Sequence, residues 1–278
     1  MPPKARKNRQ KPSVKTGPLI GPSNLSGALA GGAMATGIPA APSRVVSQAS
    51  RTRETTLKII LSCEHASGRI PKSSLGQAKR LYGRAALDSH IAYDLFALDA
   101  ARRLARRLRA PLFYGSWSRL CIDLNRSLSS PAVRSALFRS MNPRQQERFA
   151  VYHADYRASI KELIEKEIRD SRILHISVHS FTPVLNGMTR SCDVGLLYDP
   201  SRKGEKRTSK ILADKIRDAG YKVRRNYPYR GTSDGLTTAL RKGFSGERYA
   251  GIELELNQAL GTGCAKVVDL LAEHLKDL

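Results

Sequence analysis

Two histidines each follow a short apolar run. His65 comes two residues after Leu57-Lys-Ile-Ile-Leu-Ser-Cys63, and His179 comes directly after Ile173–Val178. Both runs are short and rich in β-branched residues, the pattern of a buried strand. Each imidazole is therefore expected where a strand ends and a loop begins, the place where α/β sheets gather active groups. The small residues Ala66-Ser-Gly68 after the first histidine leave room for a ligand. Neutral imidazole is the commonest zinc ligand, and a catalytic zinc takes three protein ligands and keeps one position for water. His175 shares a strand face with His179 and is expected as a packed or hydrogen-bonded histidine.

Two further segments carry polar groups where apolar ones would be ordinary. In Ser118-Arg-Leu-Cys-Ile-Asp-Leu-Asn-Arg126, Asp123 and Asn125 alternate with Cys121, Ile122 and Leu124. Arg119 and Arg126 could clamp carboxylates through bidentate bonds, and a structural Asp123–Arg pair is the plainer reading of the aspartate. In Gly251-Ile-Glu-Leu-Glu-Leu-Asn-Gln258, Glu253, Glu255 and Asn257 share one strand face. Carboxylates on a core strand need cations, hydrogen bonds or protonation, and a metal site would supply the reason. A partly solvated edge strand is the alternative.

The elements that must position these groups alternate along the chain. Strands are expected at Leu57–Cys63, Ile173–Val178, Val194–Tyr198, Tyr221–Arg225 and Tyr249–Leu256, with Leu112–Tyr114 and Leu120–Leu124 extended. Apolar spacing of three and four predicts a helix over Asp88–Leu108, followed by Pro111. Asn142 as N-cap with Pro143 at the first helical position predicts a long helix to about Asp170. Further helices are expected over Thr208–Ala219, stopped by Gly220, and Cys264–Lys276. This alternation predicts an α/β fold: a single domain over residues 55–278 with a mixed, mostly parallel central sheet flanked by helices. Residues 1–54 are rich in Pro, Gly, Ala and Ser and read as a disordered basic tail, dispensable for catalysis. A targeting segment or an extension preceding an internal start at Met34 are the other readings of that stretch.

Together the segments resemble the N-formylglutamate amidohydrolase family, a branch of the zinc carboxypeptidase and aspartoacylase superfamily. The resemblance runs from about Lys58 to the C-terminus. It rests on Cys63-Glu-His-Ala-Ser67, Ile70-Pro71, Asp88-Ser-His-Ile-Ala-Tyr-Asp94, Ser118–Arg126, His179-Ser180, Asn226-Tyr-Pro-Tyr229 and Glu253-Leu-Glu-Leu-Asn-Gln258. The superfamily's order of a metal histidine, an Asn-Arg pair, a second metal histidine and a general-base glutamate matches His65, Asn125-Arg126, His179 and Glu255. One position departs: the superfamily's metal-binding glutamate, three residues after the first histidine, is Gly68 here.

The resemblance implies a zinc-dependent hydrolase of the amide in an N-formyl or other N-acyl acidic amino acid, zinc carboxypeptidase-like in fold. It implies His65 and His179 as metal ligands. Because of Gly68 the third ligand must come from elsewhere, and Asp88, which opens an Asp-x-His motif near a helix start, is the candidate. Glu64 and His90 are the alternatives, and an N-cap is the other reading of Asp88. Glu255 would be the general base, with Glu253 its competitor. Arg126 would serve catalysis, and Arg119, Asn125 and Tyr229 would hold substrate.

Composition limits the rivals. The formal charge is +24, and residues 1–53 hold nine Lys/Arg and no acid, which leaves +15 on the rest. Such a balance admits nucleic-acid contact by the basic tail. Yet no DNA- or RNA-binding motif is present, and aromatics are only 6%. A catalytically inactive relative serving as a binding module is the other rival, and Gly68 keeps it open. No apolar run approaches the roughly 18 residues of a membrane span, so no membrane partner is expected. Cys63, Cys121, Cys192 and Cys264 are scattered, with no C-x-x-C pair, and suit free thiols in a reducing, cytoplasmic setting.

Overall fold

The computed structural model describes residues 56–278. The tail over 1–54, its boundary with the domain and Met34 lie outside the described residues. The first part of the domain holds β1 (Thr56–Cys63), α1 (Lys72–Tyr82), α2 (Arg84–Leu87), α3 (Ala97–Leu108) and β2 (Leu112–Tyr114). Next come α4 (Ala136–Ser140), α5 (Pro143–Glu167), β3 (Ser171–Phe181), and a small hairpin of β4 (Val184–Leu185) and β5 (Met188–Thr189). The chain then forms β6 (Val194–Leu197), α6 (Lys203–Asp218), β7 (Val223–Arg225), α7 (Leu236–Gly243), β8 (Tyr249–Asn257) and α8 (Cys264–Lys276).

Six strands form one sheet in the order β2-β1-β3-β8-β6-β7. Every neighbouring pair is parallel except β6 with β8, so the sheet is mixed and mostly parallel as expected. The long strands β1, β3 and β8 lie side by side and end at the same edge. Their register sets Ser62 beside Ser177, Ser177 beside Glu253, and His179 beside Glu255.

Alternation along these strands separates two faces. Leu61, Cys63, Ile176, Val178, Leu254 and Leu256 pack with α3, α6 and α8 into one apolar cluster. The opposite face begins apolar with Ile60, Ile173 and Tyr249, packed against Ile160 and Ile164 of α5. Further along, that same face turns polar: Ser62 and Glu64, then His175, Ser177 and His179, then Glu253 and Glu255. All are buried. The period of two is what keeps these groups together on one face.

Most expected elements appear. The N-cap of α5 is Asn142, whose side chain accepts from Gln145 N while the Gln145 side chain accepts from Asn142 N, a complete capping box. Gly220 follows α6 with φ of 89°, a left-handed position.

Several expectations need correcting. The helix expected from Asp88 begins only at Ala97. Residues 88–96 form turns instead, because Asp94 N donates to His65 O (2.9 Å) and Phe96 takes φ of 66°. The stretch expected to be extended at Leu120–Leu124 is also turns. There the Ser118 hydroxyl and main chain and the Asp123 carboxylate satisfy backbone donors that a strand neighbour would otherwise take. The helix expected from Thr208 starts earlier, at Lys203, where the Arg202 guanidinium holds the carbonyls of Arg241 and Phe244. Beyond the elements expected, the structure holds helices α1, α2, α4 and α7 and the β4–β5 hairpin.

Candidate active site

Strand ends supply the inner groups. β1 leads into Glu64 and His65, β3 carries Ser177 and His179, and β8 carries Glu253 and Glu255. Loops supply the rest: Asp94 from the turns before α3, and Asp123 and Asn125 from the turns after β2.

Both imidazoles present Nδ1 to one carboxylate oxygen. Asp94 Oδ2 lies 3.3 Å from His65 Nδ1 and 2.9 Å from His179 Nδ1. The far nitrogens are held by other acids. His65 Nε2 is 2.7 Å from Asp123 Oδ1. His179 Nε2 is 3.0 Å from Glu64 Oε2 and 2.8 Å from Ser177 Oγ. The Ser177 hydroxyl donates to Glu64 Oε2 at 2.5 Å.

Donor atoms of His65, Asp94 and His179 all lie within 4.8 Å of one another, and all three residues are buried. Two imidazoles and one carboxylate are a common catalytic donor set for zinc. Each histidine also has its second nitrogen fixed by a carboxylate, the usual outer support of a metal-ligating histidine. The residues present therefore fit a divalent ion.

The electrostatics agree. Burial opposes charge on His179, but its hydrogen bonds to Asp94 and Glu64 and the charges of those acids outweigh it and hold the imidazole well above its ordinary pKa. Burial likewise opposes charge on Asp94, and the two histidines reverse it, so this carboxyl sits far below the usual range. The cluster is built to keep a positive charge between acids.

Glu255 differs from every other acid in the site. Its Oε2 is one of two buried side-chain atoms without a hydrogen-bond partner among the described residues; the other is His153 Nδ1. Burial, joined by the charges of Asp94 and Glu253, pushes the Glu255 carboxyl up to about 8, against the pull of His179 and His65. Glu253, two residues earlier on the same face, is engaged: the Thr237 hydroxyl donates to its Oε1 at 2.6 Å. Glu255 is given room by Gly195 on β6, where a Cβ would sit 3.1 Å from the Glu255 Cβ and only 2.2 Å from Tyr227 O.

These groups line a cavity of about 170 Å³, shared by His65, Asp94, His179, Asn125, Arg119, Arg126, Tyr229, Arg230, Glu253 and Glu255. Larger hollows of about 530 and 560 Å³ lie among the residues that begin β1, β3 and β8, where no comparable acids and imidazoles converge.

Most residues named from the sequence come together here. Asn125 accepts Leu236 N at its Oδ1 (2.8 Å) and places Nδ2 3.5 Å from His179 Nε2. Arg126 donates to the Asp234 carbonyl, and its own carbonyl accepts from His153 Nε2 at 2.8 Å. Tyr229 is half exposed at the wall. Arg119 reaches Asp123 Oδ2 (2.9 Å) and lies 3.6 Å from Asp94 Oδ1, so its guanidinium braces the acids that hold His65.

Asp88 is the exception. It is exposed, closes α2 as its C-cap, and does not line the cavity. The acid delivered to the histidines is Asp94, six residues later in the same Asp88–Asp94 segment. The expected helix would have placed these two residues differently; the turns fold Asp94 inward onto His65. Of the alternatives, His90 reaches the cavity wall, and Glu64 supports His179 from its far nitrogen. Asp94 stands in the same Asp88–Asp94 sequence segment, and only the path of the backbone separates its chemistry from that of Asp88.

Comparison with known proteins identifies the family and the fold. Residues 57–261 match the family model described as N-formylglutamate amidohydrolase. A crystal structure of a gene product from Agrobacterium tumefaciens superposes with a TM-score of 0.62 at 27% identity, covering 80% of this chain and 92% of that one. The N-formylglutamate amidohydrolase from Ralstonia eutropha superposes with a TM-score of 0.57 at 20% identity, covering 79% of this chain and 92% of that one, a likeness of fold. None of the curated proteins is a match.

Proposed function

The chain belongs to the N-formylglutamate amidohydrolase family, and from that premise we propose that it is a zinc-dependent enzyme hydrolysing N-formyl-L-glutamate, or a close N-acyl acidic amino acid, to the carboxylic acid and the free amino acid. The observation that carries this reading is the convergence of His65, Asp94 and His179 on one point beside Glu255, the one carboxylate among the described residues with a fully buried oxygen that has no hydrogen-bond partner.

His65, Asp94 and His179 would hold the ion. When bound, it supplies polarisation of the acyl oxygen and acidification of a water molecule. Glu255 takes a proton from the attacking water as its oxygen adds to the acyl carbon. The same carboxyl then passes that proton to the amide nitrogen as the carbon–nitrogen bond breaks. A base with a pKa near neutrality suits both transfers, and the burial of Glu255 raises its pKa in that direction.

Arg126 would receive a substrate carboxylate and help stabilise the developing oxyanion, with Asn125 and Tyr229 shaping the pocket. Arg230 lines the same cavity and offers a second cation. The first role expected of Arg119, a substrate clamp, fits its contacts less well than bracing Asp123 and Asp94 does. No helix among the described residues is long and apolar enough to cross a membrane. Four buried free thiols suit a reducing, cytoplasmic compartment.

The test is a hydrolysis assay on N-formyl, N-acetyl and N-succinyl derivatives of glutamate and aspartate, with metal analysis of the same sample. Turnover of at least the formyl substrate together with about one zinc per chain is expected. A folded, metal-loaded protein inert toward all of them would mark it as a binding module on this fold.

A further inference from the structure

A buried ion pair lies outside the reacting groups. Glu205 on α6 and Arg241 on α7 are both buried, and Arg241 Nε donates to Glu205 Oε1 at 2.9 Å and to Oε2 at 3.2 Å. The remaining bonds of the pair go mainly to backbone. Arg241 Nη1 donates to the Gly231 carbonyl (2.5 Å) and Nη2 to the Gly251 carbonyl (2.8 Å). Glu205 accepts from Gly251 N (3.0 Å) and Asp199 N (2.8 Å).

Two of those anchor points flank the active site. Gly251 stands on β8 two residues before Glu253 and four before Glu255. Gly231 directly follows Tyr229 and Arg230, which line the cavity, and precedes Ser233 and Asp234, which line it too. The Gly231 amide donates to Asn226 Oδ1 (3.1 Å), which also accepts from Tyr198 N. A Cβ at Gly231 would lie 2.1 Å from Tyr198 N, so the turn is pressed directly onto the end of β6. The turn is thus pinned at Gly231 through both its N–H and its C=O.

We propose that Arg241 and Glu205 are positioning residues: a buried clamp that fixes the Tyr229–Arg230 turn relative to the Glu255 strand and so sets substrate affinity without touching substrate. The proposal rests on the amidohydrolase reading above for its substrate. Replacing a buried ion pair by apolar side chains of equal volume is often neutral for stability. Apolar side chains could not, however, hold backbone groups of separate segments in one register. The planar fork of arginine does so, with donors on different edges serving Glu205, Gly231 and Gly251.

Arg241→Lys keeps the charge beside Glu205, but one ammonium cannot serve all three partners. In the metal-loaded protein we expect unchanged metal content, a KM for N-formyl-L-glutamate raised about tenfold, and kcat within about threefold, because the reacting groups stay in place. Hydrogen exchange over residues 226–235 should quicken. A folded variant with wild-type KM and wild-type exchange there overturns the clamp, even if its melting temperature falls, since that is the behaviour of a purely structural pair. Should Arg241→Lys fail to fold, the double variant E205Q/R241M removes both charges and must show the same rise in KM and exchange; wild-type values in it overturn the proposal. If the parent protein does not hydrolyse N-formyl-L-glutamate, the substrate assignment fails, and exchange at the Gly231 turn alone decides the clamp.

Discussion

Glu64 stands next to His65 in sequence, yet its carboxylate serves the other histidine, His179, at 3.0 Å from Nε2. The reason is strand alternation. Glu64 points to the same sheet face as Ser62, and the neighbouring strand β3 places Ser177 and His179 across from it. Tyr156 of α5 donates to the second oxygen of Glu64 at 3.2 Å and fixes it there. Glu64→Gln should therefore leave the fold intact and weaken metal binding by about 10–100-fold, the usual cost of losing an outer partner of a ligating histidine. Competition with a chromophoric chelator measures this. Affinity equal to the parent protein's would remove Glu64 from any role in the metal centre.

Asp94 and Asp88 separate cleanly by substitution. Asp94→Asn should lower the metal content from one ion per chain to near none and abolish turnover. Asp88→Asn touches an exposed helix end and should leave both unchanged. Metal analysis after gel filtration compares them. Retention of the ion in Asp94→Asn with loss in Asp88→Asn would reverse the assignment.

Glu255→Gln should keep metal and substrate binding while kcat falls by about 10²–10⁴-fold, the scale of acid–base catalysis. Glu253→Gln, which disturbs a bond to Thr237, should act mainly on stability. Near-normal kcat in Glu255→Gln would assign the proton transfers elsewhere.

A pH signature accompanies that variant. In metal-free protein the folded state holds the Glu255 proton up to about 8, whereas the group's ordinary value is 4.5. Between those values the folded state binds the extra proton, so stability declines as pH rises. Glutamine removes the titration. Metal-free Glu255→Gln should thus gain in melting temperature over the parent protein as pH rises from about 4.5 to about 8, and keep that gain at higher pH. A difference that does not vary with pH would mean that the carboxyl is not held protonated by burial.

Arg126→Lys keeps a cation at the cavity wall and loses the planar fork. The specificity constant for N-formyl-L-glutamate should drop by about 10-fold or more, and that for a neutral N-formyl amide much less. Parallel losses on the two substrates would instead indicate that Arg126 serves the loop through its bond to the Asp234 carbonyl.

The sequence by itself determined the strands that carry the chemistry. Apolar runs of limited length mark β1, β3 and β8; the period of two places His179, Glu253 and Glu255 on one face, and His65 follows just beyond the end of β1. Those are local properties, readable from neighbours along the chain. The path of the turns between elements was not readable in this way. Asp88–Leu108 has a helical spacing throughout, yet a backbone bond from Asp94 to His65 breaks the first part of it. That bond joins residues 29 apart, and no local propensity encodes it. The roles of Glu64, Asp94 and Arg119 all depend on such distant pairings. So does the difference between Glu253 and Glu255, which share a strand face and a neighbouring leucine. Thr237, brought in by α7, occupies one of them and leaves an oxygen of the other without a partner. Only the packing of a separate helix against the sheet decided which glutamate is engaged by a hydroxyl and which keeps a fully buried oxygen without a partner.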